Sequence, residues 1–107
     1  VQLHQKVQVY TTLGMALLGS GQAHNAFQAL EQALKAVASG HQGSPLLVLT
    51  RIRTARALMA LGQQDDARRQ LQQAQQGVRL EPDMPPHVRR VLAQAEQQWR
   101  QSNPSPP

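Results

Sequence analysis

The stretch Leu17-Leu18-Gly19-Ser20-Gly21-Gln22-Ala23-His24-Asn25-Ala26 returns 41 residues later as Leu58-Met59-Ala60-Leu61-Gly62-Gln63-Gln64-Asp65-Asp66-Ala67. Each copy ends one apolar-periodic segment, turns on a glycine and begins another. The offset of 41 holds for identical residues well beyond the turn: Ala16 and Ala57, Leu17 and Leu58, Gly21 and Gly62, Gln22 and Gln63, Ala26 and Ala67, Leu30 and Leu71, Ala33 and Ala74. Self-similarity at a fixed period implies a stacked-repeat architecture.

Working outward from the two turns, the pattern predicts five helices. The first, over about 2–19, carries Leu3, Val7, Tyr10, Leu13 and Leu17 on one face. Gly14 sits in the middle of it, at about 1 kcal/mol against Ala, which points to a close approach of the neighbouring helix. The second, over about 24–39, shows Ala26, Phe27, Leu30, Ala33, Leu34 and Val37. After a loop at 40–45, Ser44 is the expected N-cap with Pro45 in the first helical position. The third helix runs from about 45 to 61 and the fourth from about 65 to 78, with Asp65 and Asp66 in a first turn where carboxylates complement the helix dipole. A Pro-rich connection over 80–86 follows, with Asp83 as the expected cap of a fifth helix over about 85–101. That helix carries Val88, Val91, Leu92, Ala95 and Trp99, and residues 102–107 read as a disordered tail or linker.

Tyr10, Leu13, Gly14, Leu17, Gly21, Ala26, Leu30 and Ala33 together resemble the tetratricopeptide repeat, with Ala55, Leu58, Gly62, Ala67, Leu71 and Ala74 as a looser second copy. In that copy Arg51 and Thr54 occupy the places of the aromatic and the leucine. The resemblance covers about residues 7–82, as repeats over 7–47 and 48–82, with 85–101 as a terminal helix. It implies an all-α fold, a right-handed α-α superhelix of about five antiparallel helices forming one domain over 1–101. The family period is about 34 residues. The longer period here is similar to that of the repeat regions of MalT-like (LuxR-type) bacterial transcription activators.

By this resemblance, the first helix of each pair lines a concave groove. The groove positions are then Gln8, Thr11, Met15 and Leu18 in the first repeat and Leu49, Ile52, Arg56 and Met59 in the second. The Lys and Asn pattern that holds an acidic C-terminus in chaperone-binding members is missing, since Thr11, Met15 and Ile52 stand at those places. An apolar, Met-bearing groove suits an amphipathic helix or apolar segment. The same residues read equally well as core, covered by the fifth helix or by a second copy of the chain.

The expected role is therefore protein–protein interaction or scaffolding, with a protein partner or other parts of the same full-length chain. Two alternatives stay open: a ligand- or partner-sensing region of a transcription activator, and a structural segment that self-associates, for instance as a homodimer. The helical stripe already running at Leu3, with no initiator Met, leads us to expect a piece of a larger regulatory protein.

Composition argues against other classes. A net charge of +5 rests on nine Arg and two Lys, but no basic run exceeds two residues. With only three aromatics and no recognition motif, nucleic acid is not an expected partner. The four His lack metal-ligand spacing, no phosphate-binding glycine loop or nucleophile elbow is present, and no cofactor or enzymatic activity is expected. No apolar run approaches the roughly 18–20 residues that cross a bilayer. The lack of Cys fits a reducing, cytoplasmic setting.

Overall fold

The computed structural model describes residues 3–38 and 43–102, without the side chains of Leu3 and His4. Residues 39–42, which include Ser39 of the expected second helix and His41 of the expected loop, and residues 103–107 of the expected tail lie outside the described residues, whereas Ser102, also expected in the tail, ends the last helix. The chain is all-helical where described: α1 (Leu3–Gly19), α2 (Ala23–Val37), α3 (Pro45–Ala60), α4 (Gln64–Leu80) and α5 (Pro86–Ser102). α1 packs on α2 and α3 on α4 as hairpins; α3 also packs on α2, and α5 on both α3 and α4.

The two turns repeat bond for bond. Gly21 and Gly62 have φ of +81° and +78°, a left-handed conformation that glycine adopts without a Cβ penalty. In the first turn the Gln22 amide donates to the Leu17 carbonyl at 2.8 Å and Gly21 to Leu18 at 3.1 Å; in the second, Gln63 donates to Leu58 at 2.9 Å and Gly62 to Met59 at 3.0 Å. These are the paired bonds of a Schellman cap, which satisfy carbonyls left over at a helix end. The carbonyls of Gln22 and Gln63 then accept from Ala26 and Ala67, the first bonds of α2 and α4. One glutamine thus closes one helix and opens the next.

The α3 start matches expectation: Ser44 Oγ accepts from the Leu47 amide and Pro45 opens the helix. The α5 start corrects one. Asp83 does not cap it; its own amide donates to Glu81 Oε1, within a turn where Met84 donates to the Glu81 carbonyl. The helix begins at Pro86, and the Pro85 carbonyl accepts from Val88. Pro86 has no N–H to satisfy, so this terminus has one fewer donor for a side chain to cap.

The main core lies between α3, α4 and α5, where Val48, Ile52, Ala55, Leu71, Ala74 and Val88 meet Leu92 and Ala95. Val7, Ala33, Val37 and Leu47 form a smaller cluster joining α1, α2 and α3. Two threonines are buried beside it without loss, because Thr50 Oγ donates to the Leu46 carbonyl at 2.7 Å and Thr54 Oγ to Thr50 at 2.8 Å. At the far end Trp99, half-buried, donates its indole N–H to the Gln64 carbonyl at 2.9 Å and pins α5 to the start of α4.

Candidate partner-binding face

The eight expected groove residues are four register pairs on α1 and α3: Gln8 with Leu49, Thr11 with Ile52, Met15 with Arg56, and Leu18 with Met59. The structure divides them. Ile52 is fully buried and Met59 is 8% exposed, both in the core they share with Val88, Leu92 and Ala95 of α5. They are seven residues apart, two helical turns on one face, and α5 packs against α3. Thr11 is buried as well. The expectation that these three line an accessible groove is corrected: they are interior side chains.

Gln8 is exposed, Met15 is 51% exposed, and Leu18, Leu49 and Arg56 are partly exposed. Two polar atoms in this region are enclosed without a hydrogen-bond partner, Thr11 Oγ and Arg56 Nε. Such a group forgoes about 1–3 kcal/mol relative to a satisfied one. Burial lowers the Arg53 guanidinium from its ordinary value, and the like charge of Arg56 one turn away lowers it further. The ion pairs among the described residues are Lys35 with Glu31 and Arg69 with Asp66, both on exposed surface, so no carboxylate neutralises Arg53 or Arg56.

Arg51 belongs elsewhere. Its guanidinium crosses to α4 and donates to Gln70 Oε1 at 3.2 Å and Gln73 Oε1 at 2.6 Å. It ties the second hairpin together where a tetratricopeptide consensus would have an aromatic. Asp65 and Asp66 occupy the first turn of α4. Among the described residues no group of three or more His, Cys, Asp or Glu could hold a metal ion. No described helix is long and apolar enough to cross a membrane.

The sequence reading missed the distribution of exposed apolar surface. Of the large exposed hydrophobic side chains among the described residues, Val9, Leu13 and Met15 all belong to α1, and Leu80 ends α4. Setting α1 beside α3 at the offset of 41 would have shown it, since Val9 and Leu13 align with Thr50 and Thr54. No family model, curated protein or solved structure matches the chain.

Proposed function

We propose that this chain is a non-enzymatic, protein-binding helical-repeat module, a stacked α-α superhelix of the tetratricopeptide kind, that takes an amphipathic helix or apolar segment along its first helices. The architecture is supported by two hairpins whose turns repeat at an offset of 41 and by α5 packing on α3 and α4, much as α3 packs on α2. The binding reading is carried by one observation: exposed Met15 on α1 has as its register partner on α3 the partly buried Arg56, which with Arg53 lacks a carboxylate. Methionine adapts to varied apolar shapes. Two unneutralised guanidinium groups favour a partner that brings an acidic side chain to the same face.

A designed helical peptide, with Leu on one stripe and Glu on its border, tests this by fluorescence anisotropy. Binding should weaken with salt, and Met15→Asp and the pair Arg53→Gln/Arg56→Gln should each weaken it by about tenfold, or 1.4 kcal/mol. Equal affinity for all variants would remove this face from the reading.

A further inference from the structure

The internal repeat supplies a reference for every position on α1, because the same position on α3 has a full set of neighbours. Lys6, Val9, Leu13, Ala16 and Leu17 align with Leu47, Thr50, Thr54, Ala57 and Leu58. On α3 this whole stripe is buried: Thr50 is 0% exposed, Thr54 1% and Leu58 3%. On α1 its counterparts are open, Val9 at 64% and Leu13 at 46%, with Lys6 and Ala16 also exposed and Leu17 partly so. Yet the α1 stripe is the more apolar of the two at its centre, with Val and Leu where α3 has threonines.

What closes the α3 stripe is α2, the second helix of the preceding hairpin. Its Phe27, Glu31 and Leu34 border a cleft of about 340 Å³ against Thr54 and Leu58. The corresponding cleft on α1, about 560 Å³, is lined by Tyr10, Leu13 and Leu17 together with Gln28 and Ala29, and no described helix stands in the place of α2. The opposite end of the molecule differs. On α5, Ala93 and Arg100 take the register positions of Ile52 and Met59 and are exposed, so that end presents little apolar surface for a second copy to stack on head to tail.

We infer that the Val9–Leu13–Leu17 stripe of α1 is a docking site for one amphipathic helix of a partner protein, seated as α2 is seated on α3. Its occupant presents an aromatic or large aliphatic residue at i and i+7, as Phe27 and Leu34 do, with a polar residue between them. Lys6 stands where α3 has the buried Leu47, so the occupant also carries an acidic residue at that end of the stripe. This inference rests on the reading of the chain as a helix-binding module but places the helix on a different face from Met15, Arg53 and Arg56.

The probe is a fluorescein-labelled, hydrocarbon-stapled peptide of residues 23–37, the α2 sequence itself, titrated with the 107-residue protein. Saturable binding should weaken at least about tenfold in Leu13→Asp and in Val9→Asp, and stay unchanged in Gln97→Asp, an exposed site on α5. Both aspartate sites are already exposed, and unchanged helical circular dichroism shows that each variant folds. Absent binding to the wild type, or equal binding by Leu13→Asp and Val9→Asp, overturns the inference. So does a wild-type dimer in sedimentation equilibrium that Leu13→Asp dissociates, because the stripe would then be occupied by a second copy. Loss of binding in Met15→Asp alone would instead point to the face proposed above, so the two readings fail separately.

Discussion

Leu30 fills the space that a side chain at Gly14 would need: a β-carbon there would stand 2.5 Å from Leu30 Cγ and 2.8 Å from its Cδ2. The first hairpin therefore leaves no room for a β-carbon at this position. At the matching positions the second hairpin has Ala55 and Leu71, both buried, and accommodates the β-carbon that the first excludes.

Gly14→Ala should destabilise the protein despite its better helix propensity. Overpacking costs about 1–3 kcal/mol, against about 1 kcal/mol gained in the helix. A net loss of up to about 2 kcal/mol is expected in urea unfolding. Adding Leu30→Ala removes the clash, so the double variant should be more stable than the sum of the two single losses by at least about 0.5 kcal/mol.

Gly21 and Gly62 have open space where a β-carbon would go, so only their positive φ opposes substitution. Gly21→Ala and Gly62→Ala should each lose about 1–2 kcal/mol, and asparagine at either site less, because its side chain tolerates the left-handed region. Unequal losses at the two positions, measured by thermal unfolding, would show that the turns are not energetic copies of one another.

Ile52→Ala and Met59→Ala should cost about 2–5 kcal/mol each, as expected of core truncations. Met15→Ala should stay within about 0.5 kcal/mol of the wild type, as a surface change away from caps and turns does. Chemical denaturation of the three variants side by side separates the interior residues from the accessible one.

Trp99 is the sole tryptophan, so its fluorescence reports the docking of α5 alone. Trp99→Phe keeps an aromatic ring but loses the donor to the Gln64 carbonyl, at about 0.5–1.5 kcal/mol. Hydrogen exchange should then quicken in the last turns of α5 and leave α1 and α2 unchanged.

The turns were legible in the sequence because their chemistry is local. A left-handed residue favours glycine, and two glycines at one offset marked the same cap twice. Helix faces were legible too, since apolar spacing alone sets them. What the spacing does not carry is which neighbour covers a face. Ile52 and Met59 lie on a first-helix stripe that a concave groove could equally have used, and only the position of α5 decides that they are interior. Met84 escaped notice for a related reason. It is 3% exposed, but it sits in a Pro- and Asp-flanked connection with no period to mark it. The Val9 and Leu13 stripe needed a comparison between repeats, not within one, because each residue looks unexceptional until Thr50 and Thr54 are set beside it.

Gln22 and Gln63 each belong to two helices at once, donating back to the first and accepting from the second. Each turn is thus bonded to the helix on either side of it. The first hairpin meets the rest of the molecule chiefly through α3, so a partner held on α1 bears on α4 and α5 by way of that one helix.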